Sequence, residues 1–281
     1  MMKLSIALAA GLVAWQVDDG NGIRDRLDKY LIEYEQQLST VVAEERLSQR
    51  DAPSRDATVT AAPDSKFRTI ISEVAFIGLP GKAGWLGFRR VMKVNGKAIK
   101  DAGTPLDVLL GEGAANDYDQ ARLLLADSAS ANLGTPRTTN LPNLPLEFLH
   151  PRNRHRLHHR VDGVERIRGS DVTRLIFDER STPTIIQRPE GGDMPSQVTA
   201  WVETATGRLL RAEVRTRDAR MGVLQFANVV WVDFRTDPKL GFLVPHEMKE
   251  EFFSGRFREG TGTARYSRYR QFKTSGRIVP Q

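Results

Sequence analysis

The segment LHPRNRHRLHHR, residues 149 to 160, holds four of the chain's five histidines together with four arginines. Clustered imidazoles could bind a metal ion, and clustered arginines could bind an anionic surface. If the segment is a strand, however, alternation sends His155 and His159 to one face and His158 to the other, so three ligands cannot converge on one point. The arginines also repel a cation. The pattern therefore predicts no metal site and favours a half-exposed basic strand.

Motifs for catalysis are equally weak in this sequence. HEMKE at 246 to 250 has Glu250 where the zinc-protease motif needs its second histidine, and Pro245 with a period-two pattern predicts a strand where that motif needs a helix. The chain has no cysteine, and no serine lies in a Gly-x-Ser-x-Gly elbow. Asp178 and Glu179 would point to opposite faces of a strand. We therefore expect a protein that is not an enzyme and has no cofactor.

The N-terminus has the pattern of a secretory signal peptide. Lys3 precedes an apolar run from Leu4 to Val13 that is too short to cross a bilayer, and the small residues Ala9, Ala10, Gly11 and Ala14 offer cleavage points. We expect cleavage after Ala14, so that residues 1–14 form the signal. Because no cysteine follows to be lipidated, we predict that the mature protein is periplasmic or secreted.

The charge of the chain is modestly basic, with a formal net charge of +6 at pH 7. An exported protein with this balance meets anionic lipid head groups rather than nucleic acid, so we expect no nucleic-acid partner and keep an anionic membrane surface as a possible one. The residues for such a contact are Arg154, Arg156 and Arg160. A solvated basic surface without a dedicated partner is the alternative interpretation.

The elements that position these residues begin with an amphipathic helix from residue 23. Its apolar residues recur at the three-and-four spacing of one helix face, and they are Leu27, Tyr30, Leu31, Tyr34, Leu38 and Val42. The β-branched residues that follow predict a change from helix to strand near residue 41. Residues 51–65 are small and proline-bearing, which predicts a flexible loop.

Most of the remaining chain reads as strands. Alternating apolar residues predict two strands around a Pro-Gly turn, and Asn95 with Gly96 predicts another tight turn. Residues 100–150 predict a helical insertion followed by a proline-spaced connector. Gly207 is placed in a hairpin turn. We expect consecutive antiparallel strands at 155–161, 164–168, 171–179, 183–188, 197–203, 208–216, 223–235, 241–253 and 263–273.

These elements predict an α+β fold that is mainly β. The simplest arrangement is one long, curved antiparallel sheet with two or three helices covering one of its faces. Each half of the sheet looks too short of apolar faces to close a core alone. We therefore expect residues 15–281 to form a single domain.

Three segments resemble the C-terminal half of the LolA/LolB-like superfamily of bacterial envelope proteins: AWVETATGRLLRAEVRTRD, LQFANVVWVDFRTDPKLGFLVPHEMKEEF and GTARYSRYRQF. They give a Trp-bearing strand, a Thr-Gly hairpin, strands of rising polarity and a tyrosine-rich closing strand. The early helix followed by VVAEERLSQ is similar to the start of that fold. The chain departs from the superfamily in lacking the lipidation cysteine of its membrane-anchored members and in its insertions around 51–65 and 100–150. No ligand-gating residue can be carried over to a position here.

The resemblance implies an unclosed half-barrel whose concave apolar face, lidded by helices, binds acyl chains of lipids or lipoproteins. Burial of about a dozen methylenes yields on the order of 10 kcal/mol, and association costs of roughly 4 to 15 kcal/mol offset much of it, so binding would be reversible. The residues that we expect to line this face are Phe76, Phe88, Leu124, Leu125, Phe226, Phe234, Phe242 and Phe252. Plain core packing of these side chains is the alternative. A scaffold that docks through its basic strand is the alternative function.

Overall fold

The computed structural model describes residues 20–51, 66–78, 85–111, 131–133, 137, 139–188, 191–220, 223–254 and 257–272. The predicted signal peptide lies outside these ranges. So do nearly all of the predicted 51–65 loop and the two leucines predicted to lid the ligand site, Leu124 and Leu125. No helix within the described ranges is long and apolar enough to cross a membrane.

Eleven antiparallel strands form a single sheet that is not closed into a barrel. The strands are β1 (Val41–Asp51), β2 (Phe67–Gly78), β3 (Trp85–Val94), β4 (Lys97–Ala98), β5 (Leu157–Ile167), β6 (Ser170–Glu179), β7 (Ser196–Glu203), β8 (Leu209–Arg220), β9 (Val223–Thr236), β10 (Leu243–Ser254) and β11 (Phe257–Gln271). Their order across the sheet is β4-β3-β2-β1-β11-β10-β9-β8-β7-β6-β5. Strand β1 therefore lies inside the sheet. Strands β2 to β4 extend the sheet on one side of β1, and β5 to β11 form the other side, with β5 at the edge and β11 paired with β1.

Helix α1 (Asn21–Leu38) packs into the concave face of this sheet. Its apolar face is buried in a core that takes side chains from β1, β2 and β5 to β11. The three-and-four spacing seen in the sequence is what gives an 18-residue helix one continuous apolar stripe. The helix ends at Leu38, and two residues later the β-branched pair Val41 and Val42 starts β1, as predicted.

Three shorter helical segments lie within the described residues. Helix α2 (Leu106–Gly111) covers the opposite, outer face of the sheet, where it packs on Val42, Ala75 and Phe88. Helix α3 (Leu144–Leu149) joins α1 in the main core, and a 3-10 helix (Pro151–Arg156) follows it. The predicted fold class, mainly β with an unclosed sheet and helices on its concave face, is confirmed, with α2 as an addition on the outside.

Two predicted turns are found where the backbone demands them. Asn95 and Gly96 have φ of 49° and 79°, the paired positive values of the tight turn between β3 and β4. Gly207 has φ of 78° in the β7–β8 hairpin, and a Cβ there would lie 2.4 Å from the carbonyl carbon of Arg26. That hairpin therefore touches α1 at a point where only glycine fits.

Three strand predictions were wrong. Segments 155–161 and 164–168 are one strand, β5, interrupted by a register shift between Val161 and Gly163. Residues 183–188 form bends with one isolated bridge from Gln187 to Asp193 instead of a strand. The basic segment begins with a 3-10 helix, because Pro151 suits a helix start and cannot pair in a ladder. His155 therefore lies outside the strand.

Candidate functional site

The concave face of the sheet is where an acyl ligand was predicted, and α1 occupies it. Five apolar or aromatic side chains of α1 are at most 1% exposed there, namely Ile23, Leu27, Leu31, Tyr34 and Leu38. They meet aliphatic residues of the sheet such as Leu175, Val198, Val230 and Val232. We call this contact surface the α1 seam. Its chemistry is that of a hydrocarbon layer, closed in this structure by the helix itself.

Three of the predicted lining residues lie in or against the α1 seam. The ring of Tyr34 makes edge contacts with Phe234 and Phe242, at centroid distances of 6.3 and 6.4 Å. Phe76 is buried in the same core. The three phenylalanines therefore face the predicted site, where they pack with α1 and other core residues.

The remaining predicted lining residues have different positions. Phe88 points to the outer face, beneath α2, so its placement on the concave face was wrong. Strand alternation instead turns its neighbour Arg89 inward, and a strand that is buried on both faces cannot be oriented from apolar residues alone. Phe252 is buried under the guanidinium of Arg137, 3.8 Å from the ring centroid. Phe226 belongs to β9, in a stretch whose side chains are outside the described residues.

A buried ion pair lies at one end of the concave face. Glu45 of β1 accepts hydrogen bonds from Arg89 of β3 at 2.6 and 2.9 Å, and neither side chain has any exposed surface. Tyr266 of β11 donates a third bond to Glu45 at 3.1 Å. Arg89 also donates to the backbone oxygen of Asn140 at 2.9 Å. The pair therefore ties the connector before α3 to three strands of the sheet.

A second polar cluster continues from this pair. Gln49 donates to Asn132 at 2.9 Å and to Glu250 at 2.8 Å, and Arg137 binds Glu250 at 2.8 Å. Asn140 donates to Asn132 at 2.6 Å, which links the two clusters. These residues were not predicted as a site. The available signal was the alternation in VVAEERLSQ, where Glu45 and Gln49 share a face with the apolar Leu47.

The α1 seam contains polar atoms without partners. The hydroxyls of Tyr30 and Tyr34 and both terminal nitrogens of Arg24 are buried, and none of these atoms has a hydrogen-bond partner among the described residues. Burial raises the pKa of both tyrosines above the ordinary value, so the hydroxyls stay protonated. Native proteins rarely leave buried donors unpaired, since each costs roughly 1 to 3 kcal/mol. The side of α1 that faces the sheet is therefore mainly apolar, but it also buries several polar atoms that lack hydrogen-bond partners among the described residues.

At its C-terminal end, α1 is held by Glu35. His150, at the end of α3, places Nε2 2.6 Å from a Glu35 oxygen, and Arg152 adds a contact at 3.4 Å. The Nδ1 of His150 accepts from the backbone N–H of Arg152, which leaves Nε2, the atom beside Glu35, to carry the proton. Burial alone would raise the pKa of Glu35, but the bonds from His150 and Arg152 outweigh it and lower that pKa.

The predicted anionic-surface arginines are all engaged within the chain. Arg154 pairs with Asp25 and Asp28 at 2.8 and 2.9 Å. Arg156 lies 3.9 Å from Glu179, and Arg160 pairs with Asp162 at 3.2 Å. His159 stacks on Phe177, while His158 is exposed on the other face of β5. Among the described residues, no group of three or more His, Asp or Glu is arranged to hold a metal ion.

A polar depression of about 650 Å³ lies on the outer face of β8 to β11. Three arginines converge there on Asp233: Arg168 at 2.9 Å, Arg235 at 3.2 Å and Arg211 at 3.5 Å. Lys249, Glu247 and Glu251 line the same depression, so its charges nearly balance. Charged side chains make up most of its lining, which distinguishes it from the hydrocarbon α1 seam, and it faces away from α1.

Comparison with solved structures finds similar chains at low identity. A DUF1329 family protein from Desulfovibrio piger is 10% identical, with a TM-score of 0.42 over 91% of this chain and 94% of that chain. A domain described as an outer membrane lipoprotein-sorting protein, from Vibrio parahaemolyticus, is 11% identical, with a TM-score of 0.41 over 91% and 95%. A LolA superfamily protein from Nitrosomonas europaea is 13% identical, with a TM-score of 0.36 over 93% and 95%.

No protein-family model matches the chain, and no curated protein matches it. The LolA/LolB-like resemblance drawn from the sequence reappears among the solved structures, one of which is described as a LolA superfamily protein. With TM-scores of 0.42 and below, no ligand or activity is carried from those proteins to this chain. A function for this chain is therefore argued from the residues of the α1 seam.

Proposed function

We propose that the chain is an exported, non-enzymatic protein that binds the acyl chains of lipids or lipoproteins between α1 and the concave face of its sheet. The supporting observation is the α1 seam itself. It offers a long hydrocarbon surface, yet the helix that covers it leaves the hydroxyls of Tyr30 and Tyr34 and two nitrogens of Arg24 without partners. A helix bound in this way gains hydrogen bonds when it moves outward.

The energetics of such an exchange are moderate. An acyl chain of about a dozen methylenes gains on the order of 10 kcal/mol on burial, against roughly 4 to 15 kcal/mol for association. Each buried hydroxyl that finds a partner on opening returns roughly 1 to 3 kcal/mol. These magnitudes suit a reversible carrier whose site is closed when empty and opens for its ligand.

Opening would involve a small number of polar contacts. Glu35 with His150 and Arg152, and Arg154 with Asp25 and Asp28, join α1 to the segment that follows α3. On the far side, the buried Glu45–Arg89 pair fixes the connector to the sheet. We infer that α1 and the segment after α3 move together, while the Glu45–Arg89 end stays closed.

The alternative function, a scaffold that docks on an anionic surface through Arg154, Arg156 and Arg160, has less support. Each of these arginines already has an acidic partner within the chain. Docking would have to break or share these pairs, and the acids that hold Arg154 and Arg156, Asp28 and Glu179, are largely or fully buried and would lose their partners.

Native mass spectrometry of the protein recovered from cells, before and after solvent extraction, tests the acyl-binding proposal. We expect a fraction of the protein to carry an added mass that is removed by solvent and identified as lipid. The extracted protein should regain the added mass when palmitate is supplied. A single unliganded mass that does not change when palmitate is added would contradict the proposal and favour the scaffold.

A further inference from the structure

Arg24 is an unusual residue to find in the α1 seam. Its side chain is 0% exposed, although it lies only one turn from the start of the helix. The guanidinium lies 4.6 Å from the ring centroid of Phe177, and its Nε donates to Asp28 at 2.8 Å. Both terminal nitrogens are buried and have no hydrogen-bond partner in the part of the chain that the structure describes. The half of the guanidinium that is best suited to bidentate binding is therefore unused.

This arrangement is costly for the empty protein. Burial lowers the pKa of Arg24, and the nearby Asp28 opposes that shift. An arginine remains protonated in proteins, so it keeps four N–H donors on those two nitrogens. A planar pair of donors matches the two oxygens of a carboxylate or a phosphate, and such charge-assisted bonds are about twice as strong as neutral ones.

Other groups around Arg24 also suit an anion. Gly20, the residue before α1, makes no side-chain cap, and the first turn of the helix contains no acid. Gly20 and the first turn therefore place no acidic side chain at the positive end of the helix dipole. A Cβ at Gly20 would lie 2.9 Å from Val161 and 3.9 Å from His159, so the helix start lies against β5 beside that imidazole.

The imidazole of His159 is a further polar group near Arg24. Its ring stacks on Phe177, the same ring that Arg24 covers, with 5.9 Å between the centroids. Burial and the charges of Arg24 and Arg154 lower the pKa of His159. It is therefore neutral at pH 7 and can donate one hydrogen bond to an anion.

The acids near Arg24 do not use its free donors. Asp28 accepts from Arg24 Nε and from Arg154, and Asp25 accepts from Arg154. The formal charges of the two arginines and the two aspartates cancel. The unmet requirement is for an acceptor that reaches the terminal nitrogens of Arg24 from the end of the seam.

We infer that the ligand is an anionic amphiphile whose carboxylate or phosphate head is held by Arg24 at the β5 end of the α1 seam. This inference rests on the proposed acyl-binding function and adds the chemistry of the head group. The acyl chain then extends along the seam, past the side chains of Leu27 and Leu31. Arg154 and His159, which are partly exposed, stand between the head group and solvent.

The test compares three ligands with the same sixteen-carbon chain: palmitate, hexadecyl phosphate and hexadecanol. Their dissociation constants are measured by displacement of a fluorescent acyl probe from the full mature chain, below the micelle concentration of each. We expect the wild type to bind at least one of the two anions about tenfold to a hundredfold more tightly than the alcohol. The ratio between the two anions identifies which head group fits.

Two variants and one control locate the effect. Arg24→Met should lose the preference for an anion yet bind hexadecanol as well as the wild type does. Arg24→Lys keeps a charge without the planar pair of donors, and should retain only part of the preference. Arg160→Met removes a half-exposed arginine from the same strand as His159 and should keep the full preference.

The outcomes separate the inference from the proposed function. If the wild type binds palmitate, hexadecyl phosphate and hexadecanol equally, the head-group inference is overturned and acyl binding stands. If it binds none of them, the proposed function itself fails. Urea unfolding serves as a second measurement: without ligand, Arg24→Met should be at least as stable as the wild type, because it removes two unpaired donors. If Arg24→Met does not fold, the ligand ratios of the wild type and of Arg24→Lys still decide.

Discussion

At the residue scale, the inward-facing charges of the concave face are its least expected feature. Glu45 and Arg89 are fully buried and bind each other at 2.6 Å, with Tyr266 and Asn140 satisfying other atoms of the pair. A buried ion pair adds little net stability over apolar residues of similar size. Removal of one member, however, strongly lowers the free energy of unfolding, because the other charge stays buried and unpaired. The pair fixes the position of β3 against β1 and of the connector against both.

The Glu45–Arg89 pair gives a quantitative prediction. Arg89→Met should lower the free energy of unfolding by about 3 to 5 kcal/mol, because it leaves the Glu45 carboxylate buried and unpaired. Glu45→Leu combined with Arg89→Met should recover most of this loss. The control is Arg166→Met, which removes an ion pair to Asp171 whose arginine is 73% exposed and should cost about 1 kcal/mol or less. Chemical denaturation measures all three. A double variant no more stable than Arg89→Met would contradict this account.

Glu35 gives a prediction about pH. Its pKa is lowered in the folded protein, chiefly because bonds from His150 and Arg152 outweigh the effect of burial. A lowered pKa contributes stability that is present above the ordinary value of 4.5 and is lost as pH falls through the folded-state value. Glu35→Gln should therefore destabilise the protein on the order of 1 kcal/mol at pH 7, and the difference should shrink below about pH 4.5.

Unfolding curves from pH 3 to pH 8 measure this difference. Glu33→Gln is the matched control, since Glu33 is exposed on the same helix, and it should leave stability nearly unchanged at every pH. If the stability difference between Glu35→Gln and the wild type grew on acidification, the pKa of Glu35 would be raised in the folded protein and not lowered.

How far residues could be assigned from sequence depended on their polarity. Phe76, Phe234 and Phe242 lie near α1, where the alternation of their strands directs apolar side chains. Phe88 was predicted on the concave face but lies on the outer one, and its neighbour Arg89 points inward to a buried partner. That partner, Glu45, is 44 residues away in the chain. A pairing at such separation leaves no local pattern, which is why the polar clusters were missed.

At the element scale, α1 contributes one side of the main apolar core and also covers the proposed ligand site. The helix and the start of β1 were predicted because the apolar period changes there from three-and-four to two. Segment 183–188 was predicted as a strand from its composition, yet it bends to place Thr184 and Ile185 beside Asp193 and Glu179. Side chain to backbone bonds of this kind compete with a ladder and are not visible in periodicity.

Two substitutions in α1 separate the apolar and the polar contributions of this helix to the free energy of unfolding. Leu31→Ala should cost about 2 to 5 kcal/mol of unfolding free energy, because it opens a cavity in the core. Tyr34→Phe should cost nothing and should stabilise by up to about 1 to 3 kcal/mol, since it removes a buried hydroxyl that has no partner. Urea titration with unchanged m-values measures both. If Tyr34→Phe destabilised as much as Leu31→Ala, the hydroxyl would have to be bonded.

At the scale of the whole molecule, one open sheet separates two surfaces of different chemistry. The concave face contains α1, α3 and the main apolar core, whereas the outer face has α2 over a small second core and a polar depression with balanced charges. The sequence predicted the curved sheet and the helices within it. It did not predict α2 on the outside, since its six residues give no indication of which face they cover.

The position of the bound acyl chain is the measurement that tests the account most directly. Palmitate with a diazirine near its terminal methyl group is bound to the purified protein and cross-linked by light, and the modified peptides are identified by mass spectrometry. We predict cross-links to α1 around Leu31 and to the inward residues Leu175 of β6 and Val230 of β9. Cross-links to Trp231, Lys249 and their neighbours in the outer depression, with none in the α1 seam, would contradict the account.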